Sequence, residues 1–249
     1  MRLISYKMSH DTGFAPNPFF GCLTLATCKP GIRRSGNRQV GDWIAGFGSK
    51  KMCRDEVVGN ERLIYLMKVT EERLLIADYF NGFPGKKPIP PQNHQNIAGD
   101  VQRPRRGCGG NRQAAPDCTV TDLRYYCGDN IYEPLDNGDF EVLPNRFHPP
   151  DNPEYMEHDI SGIYVLISRN FYYFGGGYKT DGTTGLFLPA DARPNLAKGQ
   201  TGFGTITEGA TISLIDYIQK RFKPGIHGRP FHWPVNDNSW QNDENYIQP

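Results

Sequence analysis

The sequence predicts an α+β protein in which a mainly antiparallel, strongly bent sheet, or a small β-barrel, packs against a C-terminal helix. Three observations support this fold class. The apolar residues occur mostly in short runs bounded by turn residues, which is typical of strands. The 28 glycines and 20 prolines among 249 residues indicate many turns and loops. Only the segment 207–222 has the apolar periodicity of a long helix.

The first third of the chain is rich in predicted strands, which lie at Leu3–Ser9, Cys22–Thr27, Gly41–Gly48 and Arg62–Val69. After the fourth strand a short helix is predicted over Thr70–Phe80, since the Thr70 hydroxyl can cap its first turn. Strands separated by turns and followed by a short helix are typical of a small barrel.

Two later strands, Gly162–Ser168 and Phe171–Phe174, are predicted to pair with each other through a connection at Arg169 and Asn170. The glycines at 175–177 interrupt the second strand. Glycines at such a position are typical of a bulge or of a close approach of the backbone to a ligand.

The C-terminal helix is predicted over Thr207–Phe222. Its apolar face carries residues three or four positions apart, namely Ile212, Ile215, Ile218 and Phe222. Thr205 and Glu208 fit a capping box, and Pro224 with Gly225 should end the helix. The residues from 236 onward are polar and are expected to fray.

We predict one domain over residues 1–235, followed by a polar tail at 236–249. Within this domain, apolar residues become rare between 86 and 118, where the chain has six Lys or Arg and two Asp residues. A loop of this length is unusual in a compact domain unless it has a function or is disordered. Two interpretations stay open: a basic flap that contacts phosphate, or a solvated insertion without a partner. The phosphate contacts would come from Arg103, Arg105, Arg106 and Arg112.

Charge and hydropathy exclude some classes of partner. A formal net charge of +1 excludes a general polyanion binder, although a local basic surface is compatible with it. No run of about 18 apolar residues is present, so no membrane span is predicted. The N-terminal residues lack the apolar core of a signal peptide. We therefore expect a cytoplasmic protein whose cysteines are mostly reduced.

The six cysteines include no C-x-x-C pair, which closed zinc sites usually contain. We therefore predict no metal site and no cofactor, although Cys108, Cys118 and Cys127 could still meet near a histidine. Cys22 and Cys28 lie in an apolar run and are expected to be small buried hydrophobes.

Three basic residues, Lys29, Arg33 and Arg34, follow Cys28 closely. A cationic neighbourhood can make a cysteine nucleophilic. The alternative is a cysteine at a strand end, followed by an exposed basic turn. We favour this alternative for the cysteine, and we assign the three basic side chains to phosphate contacts.

The most informative segment is HDTGFAPNPF, which begins at His10. Its two prolines oppose regular structure and stiffen the backbone. His10 and Asp11 are the candidate acid–base residues if the protein is an enzyme. Thr12, Phe14 and Asn17 are candidate ligand-binding residues, since ordered polar loops often carry function. The alternative is a rigid surface crossover whose polar groups only satisfy the backbone.

Five further residues are candidates for ligand binding: Asp129, Asn130, His148, His158 and Tyr173. A histidine near carboxylates can act as a base or orient a ligand, whereas a lone histidine is more often structural. Side chains alternate between the faces of a strand, so Tyr173 and Phe174 should point in opposite directions. We expect the Tyr173 ring at the wet edge of a pocket, where it could stack on a base, and Phe174 in the core.

Five motifs together resemble the nucleotide modification associated domain 2 family: HDTGFAPNPF, CKPGIRR, GDWIAGFGS, GDNIY and SRNFYYFG. The first of them is the most specific. Members of this family are found in bacteria and phages beside genes for DNA base modification. The resemblance therefore implies a role in a DNA-modification or phage-defence system. The early strands also resemble the PUA, EVE and ASCH group of small barrels, several of which hold a modified base.

Three hypotheses follow for the function. The first is a binding module for a nucleotide or modified base, free or in DNA. The second is an enzyme that makes or edits a modified nucleotide, with His10 and Asp11 as acid and base. The third is a structural partner in a modification complex. No membrane partner is expected, and the sequence defines neither the oligomeric state nor the identity of the base.

Overall fold

A computed structural model describes residues 1–49, 52, 62–82, 122–175, 185–196, 203–234 and 237–248. The basic segment 86–118, with its four arginines, lies outside the described residues. The glycines at 176 and 177 and three of the six cysteines also lie outside them. The hypotheses about these segments therefore stay predictions.

The described residues form eleven strands, which are joined into three sheets. In chain order they are β1 (Leu3–Met8), β2 (Leu23–Leu25), β3 (Trp43–Gly48), β4 (Leu63–Lys68), β5 (Leu74–Leu75), β6 (Tyr132–Pro134), β7 (Phe140–Val142), β8 (Tyr164–Ser168), β9 (Asn170–Tyr173), β10 (Phe203–Ile206) and β11 (Gly225–Ile226). The α-helices of the same residues are α1 (Pro30–Arg33), α2 (Ile76–Gly82), α3 (Leu123–Tyr126), α4 (Pro153–Ile160) and α5 (Glu208–Arg221). None of these helices is long and apolar enough to cross a membrane.

The largest sheet has six strands in the order β10, β1, β3, β4, β9, β11. Its β1–β3 and β9–β11 pairs are parallel, whereas every other strand pair of the described residues is antiparallel. Within the described part of the chain, the sheet ends at β10 and β11 and does not close into a barrel. The predicted α+β class with a mainly antiparallel sheet is therefore confirmed, in its open form.

Each face of this sheet has its own apolar core. One face carries Ile4, Ile44 and Tyr173 and belongs to the larger core, which also includes residues of β2 and β8. The opposite face carries Trp43 and Phe174 and packs against α5. The prediction that Tyr173 and Phe174 point in opposite directions is confirmed.

Helix α5 packs on the sheet as predicted, but with a different side. The residues that it buries are Thr211, Leu214, Ile215 and Ile218. They form the regular stripe of a helix that packs on one surface. Ile212 is 45% exposed, so its predicted burial is wrong. The capping box is also wrong, because Thr205 lies in β10 and Thr207 is the N-cap.

Strands β8 and β9 do not pair with each other, which corrects the predicted strand pair. β8 lies between β2 and β5, whereas β9 joins the large sheet beside β4. The chain changes sheet at Ser168, whose hydroxyl donates to the Asn170 carbonyl at 2.8 Å and accepts the Asn170 N–H at 3.1 Å. The pattern of apolar residues predicts both strands, but the strands with which they pair lie far away in the sequence.

The helix predicted over Thr70–Phe80 begins later than expected. Residues Leu74–Leu75 form β5, and α2 starts at Ile76. Thr70 does not cap this helix, because its hydroxyl accepts the N–H of Arg169 at 2.8 Å. Its hydroxyl therefore stabilises the connection after β8 instead.

The polar C-terminal residues are packed rather than frayed. Trp240, in a 3-10 helix at Ser239–Asn242, is 7% exposed. Asp243 accepts the N–H of Phe20 at 2.8 Å, and Tyr246 forms a parallel bridge with Ile226. This segment therefore extends the core, contrary to the prediction from its composition.

Candidate functional site

Cys28, His148 and Asp159 come together, although they are far apart in the sequence. The Cys28 Sγ atom lies 3.8 Å from His148 Nε2, and His148 Nδ1 lies 2.6 Å from Asp159 Oδ2. Asp159 and His148 are buried, while Cys28 is partly exposed. A thiol, an imidazole and an orienting carboxylate in this order form the arrangement of a nucleophilic triad. We refer to these three residues as the relay.

The pairing of β2 with β8 explains why the three residues meet. Leu25, at the end of β2, pairs with Leu166 in the middle of β8, so the chain after Leu25 runs toward the start of β8. Cys28 follows β2 after two residues, and Asp159 lies in α4, which precedes β8. The antiparallel pairing therefore brings the end of β2 close to the end of α4.

The backbone at Cys28 has an unusual conformation. Its φ is 55° and that of Lys29 is 46°, so two successive residues occupy the left-handed region that L residues rarely adopt. The Cys28 N–H donates to Asp159 Oδ1 at 2.6 Å, and the Cys28 carbonyl accepts from Arg33 Nε at 2.8 Å. Backbone strain that is held from both sides is common at active sites.

Arg33 is buried and holds this turn in place. It is 0% exposed, and its guanidinium donates to the carbonyls of Cys28, Tyr164 and Asp159. Burial lowers the pKa of Arg33, and the charge of Asp159 opposes this effect. The structure therefore corrects the predicted phosphate contact of Arg33, because its three nitrogens are bonded inside the protein.

The position of His148 is set by Asn145 and by two rings. The Asn145 side chain accepts the His148 N–H at 2.7 Å and donates to the His148 carbonyl at 2.7 Å. The Tyr155 ring, from α4, stacks on the imidazole with centroids 4.6 Å apart. Phe14 packs against the imidazole edge-on at 5.1 Å. The HDTGFAPNPF segment thus contributes directly to the surroundings of the relay.

The charges of the relay stabilise one another. Burial by itself would lower the pKa of His148, but Cys28 and Asp159 outweigh it and raise this pKa to about 10. Burial opposes the ionisation of Asp159, yet hydrogen bonds from His148 and His158 hold the pKa of this carboxyl well below its usual range. The Tyr132 hydroxyl also donates to Asp159 Oδ2, at 2.7 Å. The imidazole that faces the Cys28 sulfur is therefore in its protonated form near neutral pH.

The relay side chains also have a spacing that could suit a metal ion, since their ligand atoms lie within 4.8 Å of one another. The hydrogen bonds favour a relay instead. His148 contacts Cys28 through Nε2 and Asp159 through Nδ1, on opposite sides of its ring. A metal ion would instead bind one nitrogen of the imidazole, and the other ligand atoms would point at the same ion. Asp159 is also engaged by the Cys28 N–H and by Tyr132, as an orienting carboxylate would be.

Four of the predicted ligand-binding residues surround the relay or belong to it: Phe14, Lys29, His148 and His158. The His158 side chain is 60% exposed, and its Nδ1 lies 3.5 Å from Asp159 Oδ1. Lys29 is partly buried beside Cys28. Arg34 is exposed at the end of the same turn.

Asp11 belongs to a separate buried network. Its Oδ2 accepts the Phe231 N–H at 2.9 Å, and its Oδ1 accepts the Tyr173 hydroxyl. Burial raises the pKa of Asp11 to about 6, although these hydrogen bonds oppose the shift. Tyr173 is 0% exposed, so its predicted place at a wet pocket edge is wrong. Its hydroxyl donates to a buried carboxylate.

The other residues of the HDTGFAPNPF segment mainly connect it to neighbouring loops. The Thr12 carbonyl accepts Trp233 Nε1 at 2.8 Å. Asn17 is fully buried, and its side-chain oxygen accepts the Phe19 N–H at 3.0 Å. His10 is partly exposed. Its role as an acid or base stays a prediction.

Asp129 and Asn130 lie in the turn before β6. Asp129 is 2% exposed and accepts hydrogen bonds from the hydroxyls of Tyr79, at 2.6 Å, and Thr24. Its carboxylate is therefore engaged inside the protein. Asn130 is partly exposed, and its ligand contact stays a prediction.

The sequence does not indicate several residues of this site. It favours a structural Cys28, whereas the structure places the Cys28 sulfur 3.8 Å from His148 Nε2. The only sign of a nucleophile in the sequence is the basic cluster after Cys28. For Asp159, the only indication of a functional role in the sequence is that it follows His158 directly. Tyr132 belongs to the GDNIY motif, but nothing there indicates a contact with Asp159, and Tyr155 has no signal because a single tyrosine in a helix is more often a core residue.

Comparison with known families gives a match over nearly the whole chain. The matching family is described as nucleotide modification associated domain 2, and the match covers residues 1–106 and 110–237. All three relay residues lie within these ranges. No curated protein and no solved structure matches the sequence. The chain therefore belongs to the nucleotide modification associated domain 2 family.

Proposed function

We propose that the protein is an enzyme of a nucleotide-modification system, in which Cys28 is the nucleophile that attacks a nucleotide or modified base. The observation that carries this proposal is the relay, with its distances of 3.8 Å from sulfur to imidazole and 2.6 Å from imidazole to carboxylate. The name of the family supports a nucleotide as the substrate. Cys28 replaces Asp11 as the leading catalytic candidate, because the oxygens of Asp11 are engaged in a buried network.

The arrangement suits the transfer of an acyl group. His148 holds the proton of Cys28, and the sulfur attacks a carbonyl carbon of the substrate. The bond from this carbon to its nitrogen or oxygen leaving group breaks, and His148 gives the proton to the leaving group. Water or an amine then attacks the thioester, His148 takes the proton of this second nucleophile, and the C–S bond breaks to release Cys28 as a thiolate. Asp159 keeps the imidazole oriented and stabilises its charged form.

The proposal is tested by alkylation with iodoacetamide and peptide mapping by mass spectrometry. At pH 7, Cys28 should react on the order of 10² times faster than Cys127, because burial raises the pKa of the Cys127 thiol. His148→Gln should slow the alkylation of Cys28 at least about tenfold. Asp159→Asn is the second variant and should slow it as well. Melting temperatures show whether each variant is folded.

Two results would overturn the proposal. One is a folded wild-type protein in which Cys28 reacts no faster than it does after unfolding in concentrated urea. Retention of a nucleotide by that protein would then favour the pure binding module. The other is about one tightly bound zinc per chain that is lost in Cys28→Ser, because the three side chains would then hold a metal.

A further inference from the structure

Lys29 carries a positive charge that has no carboxylate partner among the described residues. The side chain is partly buried, and its Nζ lies 4.8 Å from the centroid of the Tyr6 ring. Burial lowers the pKa of Lys29, which means that its charge is poorly solvated in this position. An anion placed beside the ammonium would compensate for this lost solvation.

The Tyr6 hydroxyl is a second group that can bind an anion. It accepts the Tyr65 hydroxyl at 2.9 Å, and both side chains are buried. The two hydroxyl groups carry two hydrogens, and the bond between them uses only one. The described residues form no further hydrogen bond with either hydroxyl. One hydrogen of this hydroxyl pair can therefore donate to an acceptor that a ligand supplies.

Both groups lie at the relay. Lys29 follows Cys28 directly, and its ammonium rests on the Tyr6 ring. The charge of Cys28 is also one cause of the raised pKa of Tyr6, after burial and the neighbouring Tyr65.

We propose that the Lys29 ammonium and the Tyr6 hydroxyl form an anion subsite beside the Cys28 sulfur, which binds a carboxylate or phosphate group of the substrate. This inference rests on the proposed role of Cys28 as the nucleophile. An ammonium attracts an oxyanion as a point charge, and a buried hydroxyl adds a directed hydrogen bond. The substrate would then carry its anionic group close to the carbon that Cys28 attacks.

The experiment compares two reagents of similar size at Cys28, neutral iodoacetamide and anionic iodoacetate, at constant ionic strength. Lys29→Met keeps the length of the side chain and removes the charge. It should lower the rate with iodoacetate about tenfold, since a fixed charge concentrates a counter-ion by this order. The rate with iodoacetamide reports any change in the reactivity of the Cys28 sulfur itself, because an uncharged reagent does not respond to the local potential, so the ratio of the two rates isolates the attraction of the anion. Tyr6→Phe should lower the iodoacetate rate by a smaller factor.

Two controls accompany this comparison. Lys29→Arg keeps the charge and should keep most of the preference for iodoacetate. Lys7 follows Tyr6 in β1 and points to the opposite face by alternation, so Lys7→Met should leave the ratio of the two rates unchanged.

Inorganic phosphate distinguishes the two kinds of ligand. If it slows alkylation of wild-type Cys28 but not of the Lys29→Met variant, the subsite binds phosphate; if it has no effect, the subsite selects carboxylates. An equal ratio of rates in wild type and Lys29→Met, with no protection by phosphate, would overturn the subsite while Cys28 stays reactive. A Cys28 that is unreactive toward both reagents would instead overturn the proposed function.

Discussion

At the scale of single residues, the turn at Cys28 explains how the sulfur is brought to His148. A residue in the left-handed region costs about 1–2 kcal/mol, and Cys28 and Lys29 both adopt it. The bonds from Arg33 and to Asp159 offset this cost at the carbonyl and the N–H of Cys28. Strain that is compensated in this way supports a functional role for the turn.

The buried carboxyl of Asp11 leads to a prediction about stability and pH. Its pKa in the folded protein is raised to about 6, from 3.8. The stability that this group contributes is therefore complete below pH 3.8 and is lost as the pH rises through 6. The difference amounts to about 3 kcal/mol at pH 7. Asp11→Asn should remove this loss, because its amide can donate to the Tyr173 hydroxyl while its oxygen accepts the Phe231 N–H.

The measurement is the urea unfolding free energy between pH 4 and pH 7, for wild type and Asp11→Asn. The variant should be at least as stable as wild type at pH 7 and should vary less with pH. Asp136→Asn is the control, since Asp136 is exposed and its replacement should leave the profile unchanged. A large loss of stability at pH 7 in Asp11→Asn would show that the ionised carboxylate is needed for folding.

At the scale of elements, the relay depends on the contact between α1 and the turn that joins α4 to β8. Gly162 lies in this turn, and a Cβ added there would lie 2.4 Å from the Arg33 Cζ atom. Gly162→Ala should therefore displace Arg33 and disturb the Cys28 turn. We expect a loss of about 1–3 kcal/mol in stability, as for other overpacked sites. Alkylation of Cys28 by iodoacetamide should become slower.

Gly209 provides a matched control in helix α5. No heavy atom lies within 4 Å of a Cβ added there. Gly209→Ala should therefore leave Cys28 alkylation unchanged and stabilise the protein by up to about 1 kcal/mol. Equal effects of the two substitutions would contradict the role given to the Arg33 contact.

At the scale of the whole molecule, the C-terminal segment 237–248 closes the larger core. Trp240 is 7% exposed and packs edge-on against Tyr246 with ring centroids 5.0 Å apart. Trp240→Ala should lower the unfolding free energy by about 3–5 kcal/mol, because a large buried side chain leaves a cavity. Urea denaturation measures this loss.

Ile212→Ala is the control for this prediction. Ile212 is also a large apolar residue, but it is 45% exposed on α5. Its replacement should change stability by about 0.5 kcal/mol or less. If Trp240→Ala is as mild as this control, the C-terminal segment does not contribute to the core as the structure indicates.

Much of this fold can be predicted from local sequence. The sequence predicts β1 over Leu3–Ser9, and the strand lies at Leu3–Met8. It predicts β4 over Arg62–Val69, and the strand lies at Leu63–Lys68. Both are dense apolar runs, whose strand character depends on neighbouring residues alone. The family was also predicted correctly, from motifs of five to ten adjacent residues.

The assembly of the candidate site could be decided only by long-range contacts. Cys28 is separated from His148 by 120 positions and from Asp159 by 131. Periodicity and turn chemistry report on residues a few positions apart, so they do not indicate which loops meet. The β2–β8 pairing brings Cys28 to α4, and this pairing follows from burial of the strands in a common core. For this reason the sequence supplied His148 and Lys29 as separate candidates, while the folded chain made Cys28 the partner of a histidine and an aspartate.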